Sequence, residues 1–139
     1  MPVLPKKPFM KQSVASGLTL LICLFFVAEG VWGIFRPVVF GILTTNRLHA
    51  IVHIVLGLAG LLAWLKDAVK GYFGFLGSLL IVVSVLWFIP GTRNTPIDVL
   101  NVNGAVAIVN FVIGLICVAI AATDNTRRRF GTPMPFPRK

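Results

Sequence analysis

VASGLTLLICLFFVAEGVWGIF, residues 14–35, carries one charge, Glu29, and no proline. A helix needs about 20 mostly apolar residues to cross a bilayer, so this stretch reads as a membrane span. A signal peptide is the competing reading, because Lys6, Lys7 and Lys11 precede the run. The apolar core of a signal peptide is only about 7–15 residues, followed by a small-residue cleavage site. Residues 14–35 exceed that, and the segment is read as a retained helix ended by Arg36 and Pro37.

Three similar runs follow, at Arg47–Leu65, Gly71–Ile89 and Gly104–Ala122. Lys66, Asp67 and Lys70 mark a tight turn, Pro90 and Gly91 close the third run, and residues 92–103 form a polar loop with Pro96 and Asp98. Residues 1–13 form a basic arm with three prolines, and 123–139 a basic, proline-containing tail with Arg127, Arg128 and Arg129. Neither can bury a core. The predicted fold is all-α: an integral membrane four-helix bundle over residues 14–122, both flanks cytoplasmic.

Composition agrees. Hydrophobic residues make up 57% of the 139-residue chain, charged residues 12%, and the mean hydropathy is +0.91. Soluble domains average about 25% charged residues. The net charge of +9 sits at the termini and in the connections, where it reads as a topology signal and as contacts to anionic lipid, notably by Arg127, Arg128 and Arg129. Nucleic acid is excluded as a partner, because no soluble segment is long enough to present a basic face. With the N-terminus inside, only Arg36, Arg47 and Arg93 of the thirteen Lys and Arg residues fall outside, the positive-inside bias of a multi-pass protein. Trp32 and Trp87 fall near outer helix ends, Trp64 and Tyr72 near inner ends, as an aromatic belt requires. The expected location is a bacterial inner membrane or a photosynthetic or respiratory membrane.

Sliding the chain by 57 residues superposes its halves. Gly17 meets Gly74, Arg36 meets Arg93, Leu43 meets Leu100, Asn46 meets Asn103, Gly57 meets Gly114, and Leu58 meets Leu115. The halves read as two duplicated helical hairpins of the same orientation, related about the membrane normal. Asn46 and Asn103 are placed to cap their helices. Gly57, Gly60, Gly71, Gly74, Gly77 and Gly114 supply small surfaces for close helix packing.

The segment Asn46-Arg-Leu-His49-Ala-Ile-Val-His53-Ile-Val-Leu-Gly57-Leu, together with four short spans, resembles a bacterial family known as domain of unknown function 4383. His53 and Gly57 carry the match, and the second half has Asn110 at the position of His53. The resemblance extends over residues 14–122 and implies a fold but no activity.

Counting about 1.5 Å per residue from the helix ends places Glu29, His53, Ser84 and Asn110 at one depth, roughly 8–9 Å inside the outer boundary. His49 stacks one turn above His53. Four readings compete for this polar layer. In the first it is a structural hydrogen-bond network, with Glu29 paired to His53 or Arg47 and Asn110 crossing to a neighbour. In the second, His53 or His49 binds chlorophyll or another pigment, or a haem; as the two share one face, they are not opposite ligands of one haem. The third is a metal site from His49, His53 and Glu29, without the Glu of a zinc-protease helix because Ala50 follows His49. The fourth is proton movement, against which stands the apolar inner half of the bundle.

No catalytic constellation is present: there is no phosphate loop and no nucleophile turn, and the four carboxylates are spread along the chain. Cys23 and Cys117 lie in apolar runs and lack metal-binding spacing. The sequence requires neither metal nor cofactor. The expected function is therefore non-enzymatic: an accessory subunit that packs against a larger membrane complex or its own copies. The alternative is a module binding pigment, haem or lipid through a histidine of the second helix.

Overall fold

A computed structural model of the protein describes residues 9–66, 68–92 and 96–130, with side chains over 14–66, 68–92 and 98–123. The long helices are α1 (Phe9–Phe35), α2 (Arg47–Leu65), α3 (Val69–Phe88) and α5 (Gly104–Phe130). The fold is an all-α bundle, and four spans, Val14–Phe35, Arg47–Leu65, Val69–Phe88 and Gly104–Thr123, are long and apolar enough to cross a membrane. α1 and α5 run beyond their apolar spans into the basic flanks, because hydropathy locates the bilayer and not the ends of the helix.

Short-range chemistry sets most helix ends. The Asn46 side chain accepts from His49 N–H at 2.9 Å, and the Asn103 side chain accepts from Val106 N–H at 2.9 Å. Each satisfies one of the donors a helix start leaves unpaired. α3 stops as Ile89 turns extended (φ −84°, ψ 120°), the conformation imposed on a residue before proline.

Neither the α1–α2 nor the α3–α5 connection is plain coil. Residues 38–44 form a small antiparallel hairpin, β1 (Val38–Val39) and β2 (Leu43–Thr44), with Val38 opposite Thr44 and Val39 opposite Leu43. Phe40 and Gly41 turn it with φ of +50° and +77°. The sequence gives no sign of these strands, as two residues are too short to show a periodicity. The α3–α5 connection holds one helical turn, α4 (Pro96–Val99).

The two dominant helix pairs are α1 with α2 and α3 with α5; α2 meets α3 much less. Within each hairpin glycine permits close approach. A Cβ on Gly57 would lie 2.7 Å from the Cys23 carbonyl, and one on Gly114 3.0 Å from the Gly77 carbonyl. Gly30, Gly60 and Gly77 are equally confined, while Gly74 meets only Ala121 Cβ at an ordinary 3.8 Å and Gly71 faces open space. Close packing therefore does not need glycine at 71 or 74. Between the hairpins the backbones stand farther apart, and side chains fill the gap: Ile22, Cys23 and Phe26 of α1, Phe73, Leu76 and Leu80 of α3, Cys117 and Ile120 of α5. Tyr72 points inward and donates its hydroxyl to the Leu56 carbonyl, joining α3 to α2. Trp64 donates to Ser16 Oγ at 2.8 Å and Trp87 to the Val102 carbonyl at 3.1 Å.

Buried positions recur between the hairpins. His49, Ala50, His53, Gly57 and Gly60 on α2 correspond at 57 residues to Val106, Ala107, Asn110, Gly114 and Cys117 on α5, all buried. On α1 and α3 the interval is 54: Thr19, Ile22, Cys23 and Phe26 correspond to Phe73, Leu76, Gly77 and Leu80. The ungapped match of Gly17 with Gly74 is thus nearly one turn out of register with the buried faces. The connections cross reciprocally. Asn46 Nδ2 donates to the Val99 carbonyl (2.6 Å) and Asn103 Nδ2 to the Ile42 carbonyl (2.8 Å), each residue 57 from its counterpart. Thr44 Oγ1 donates to the carbonyl of Asn101, its own counterpart, at 2.7 Å. Such self-complementary contacts are what a local two-fold axis produces.

Candidate functional site

The tightest helix crossing positions the site. Gly30 of α1 lies on α2 so closely that a Cβ would stand 2.6 Å from the Ala50 carbonyl, and one on Gly33 2.8 Å from Thr45 Cγ2. That approach drives the neighbouring Glu29 into the α1–α2 interface. Glu29 is 4% exposed, His53 4% and His49 2%.

Within the interface the Glu29 carboxylate lies 3.0 Å from His53 Nδ1. The other nitrogen of that ring, Nε2, lies 2.9 Å from His49 Nε2. Spacing of four residues puts the imidazoles on one face of α2, with ring centroids 4.3 Å apart and planes at 80°. Phe26 closes the other side of His53, edge to face at 4.7 Å. The result is an unbroken hydrogen-bonded triad, Glu29–His53–His49. Among the described residues His49 Nδ1 has no hydrogen-bond partner.

Donor counting gives two proton arrangements that suit these distances. With Glu29 ionised, His53 Nδ1–H donates to the carboxylate, His49 Nε2–H donates to His53 Nε2, and His49 Nδ1 bears a lone pair. One added proton at His49 Nδ1 lets each bonded proton move one place towards Glu29. The end state has a neutral carboxylic acid and two neutral imidazoles, all reversed in donor sense. Both hydrogen bonds survive, and the triad changes from −1 to 0. Because the interior penalises charge, the second arrangement is the one that takes up a proton with no imidazolium.

The remaining polar positions stand apart from this triad. Ser84 and Asn110 are buried. Ser84 Oγ, however, donates to the Leu80 carbonyl of its own helix at 2.6 Å. Equal depth fixes position along the membrane normal and not the direction around each helix. Arg47 is exposed and takes no part. Below Glu29 the buried α1 residues are Phe26, Cys23 and Ile22, and the Thr19 hydroxyl bonds back to the Ala15 carbonyl at 2.8 Å. No polar side chain on that face extends the triad towards the far end. Both His53 nitrogens are engaged, so a pigment or haem iron would have to displace Glu29 or His49. Among the described residues no group of three or more His, Cys, Asp or Glu side chains is arranged to hold a metal ion. The side chains of Arg127, Arg128 and Arg129 lie outside the described part of the structure.

What sequence reasoning missed is the link between the two histidines. Their four-residue spacing was the available signal, but only the inward direction of that face makes one ring the hydrogen-bond partner of the other.

Four apolar spans folded as two hairpins define a multi-pass membrane protein. Residues 16–123 match the family described as Domain of unknown function (DUF4383), and the chain belongs to it. Comparison with curated proteins and comparison with solved structures gave no match.

Proposed function

We propose that the protein is a small, non-enzymatic accessory subunit of a larger bacterial membrane complex, and that the Glu29–His53–His49 triad holds one exchangeable proton for that assembly. The observation that carries the reading is the triad's occurrence in one hairpin alone. The counterparts of Glu29, His53 and His49 in the second hairpin are Val83, Asn110 and Val106, and that hairpin closes with the same glycine contact and the same cap. A polar triad that the architecture does without in one half is retained in the other for a purpose besides closing helices. Since it does not continue through the bundle, it suits storage or sensing of a proton and not conduction.

The subunit reading is supported by the thinness of the bundle: at most 39% of any span window is buried within the chain. Most of each helix is left for lipid or for a neighbour. The duplication of the hairpin and the cytoplasmic placement of both ends complete the proposal.

Infrared difference spectroscopy of the full-length protein in lipid nanodiscs tests proton holding. Acidification should produce a protonated-carboxyl band, and Glu29→Gln should remove it; no Glu29-dependent band over the pH range in which the protein stays folded would exclude the proposal. Gentle extraction from the native membrane tests the assembly. A fixed large partner supports the subunit reading, and a free monomer in every gentle preparation refutes it.

A further inference from the structure

We propose that the cleft between the end of α1 and the start of α2 is a binding site for the headgroup of an anionic phospholipid. This proposal is independent of the proton-holding triad.

The cleft has a volume of about 410 Å³ and is walled by Ile34, Phe35, Arg36, Asn46, Arg47 and, from the other hairpin, Asn101, among others. Arg36 and Arg47 face it from different elements, and both are exposed. Among the described residues no carboxylate pairs with either guanidinium. Two like charges at one concavity repel unless an anion lies between them, and the planar fork of Arg suits a phosphate in two-pronged fashion. The helix dipole of α2 adds to the same field, since its first turn opens here.

The rim tells what kind of anion fits. Phe35 is 78% exposed, and the β-hairpin beside the cleft exposes Phe40 at 52% and Ile42 at 63%. Apolar side chains left uncovered next to unpaired cations match an amphiphile, with phosphate at the arginines and glycerol and upper acyl carbons against the aromatic rim. A free anion would use only the first half of that surface. Both arginines belong to one hairpin, and the counterpart of Arg47 in the other is Gly104, which packs on the Trp87 ring. It also lies at the opposite end of the bundle from Arg127, Arg128 and Arg129, which stand in the last turns of α5.

The test is lipid retention by native mass spectrometry on the full chain, titrated separately with phosphatidylglycerol, phosphatidylcholine and inorganic phosphate. Phosphatidylglycerol should be retained in preference to phosphatidylcholine. Each of Arg36→Gln and Arg47→Gln should weaken retention about tenfold, as loss of one charge-assisted pair implies, and the double variant should abolish it. Arg127→Gln/Arg128→Gln/Arg129→Gln should leave this retained lipid in place. The proposal is overturned if the single variants retain phosphatidylglycerol as the parent does, if phosphatidylcholine is held equally, or if inorganic phosphate competes it off at matched concentration, which would make the cleft a soluble-anion site. The single variants carry the test should the double variant fail to fold.

Discussion

The α1–α2 hairpin and the α3–α5 hairpin solve the same folding problem with different interiors. Each brings its helices together through a glycine set against backbone, at Gly57 in one and Gly114 in the other. Each starts its second helix with an asparagine that caps it and reaches across to the opposite connection. They differ at the positions facing inward near those caps, where the first hairpin has Glu29, His49 and His53 and the second Val83, Val106 and Asn110. Val106 there packs with Val39 and Leu43 in an ordinary apolar cluster. The shared features are what the membrane fold requires. The unshared ones are where function is to be sought, and the arginine-lined cleft falls on the same hairpin.

The largest expected effect tests what the hairpins share. Gly57→Leu and Gly114→Leu each force a side chain into a facing backbone and should each destabilise by about 2–3 kcal/mol, read as thermal melting in detergent. A severe loss at one glycine with none at the other would show that only one hairpin depends on close approach. Next come the reciprocal asparagines. Asn46→Ala and Asn103→Ala should each cost about 1 kcal/mol through loss of a cap, and the two losses should match; a clear inequality would break the local two-fold relation. The smallest effect has the opposite sign. Gly17 and Gly71 face open space on exposed helical positions, so Ala at either should be neutral or stabilise by up to about 1 kcal/mol. Destabilisation there would reveal a helix contact outside the chain, in a partner or a second copy, provided the measurement is made on the native assembly.

Much of the architecture was legible because hydropathy is a one-dimensional signal. The bounds of α2 coincide with its apolar run, Arg47–Leu65, since Asn46 supplies a cap at one end and Lys66 polarity at the other. The sequence places Glu29, His53, Ser84 and Asn110 at one depth, and all four are buried, but depth alone does not give burial. Direction around a helix does not follow from hydropathy, so depth groups Ser84 with residues it does not bond, and spacing gives the His49–His53 contact only as a stack. The sequence aligns the halves at a single interval of 57, whereas the buried faces of α1 and α3 recur at 54, so the path from buried face to buried face is three residues longer in the second hairpin. Polar matches in the caps dominated the alignment, and the apolar helices could slide by nearly a turn without visible penalty. The β1–β2 hairpin lay below the length at which alternation is readable.

On the proposed function the triad is not what holds the first hairpin together. Glu29→Leu alone leaves His53 Nδ1 buried without its partner and should cost about 1–3 kcal/mol, with Glu29→Gln far milder. The most direct measurement is the melting temperature of Glu29→Val/His49→Val/His53→Asn, which gives the first hairpin the residues of the second. This triple variant should be folded and more stable than Glu29→Leu, because all partners leave together. A triple variant less stable than Glu29→Leu would contradict the proposal and make the triad a structural network.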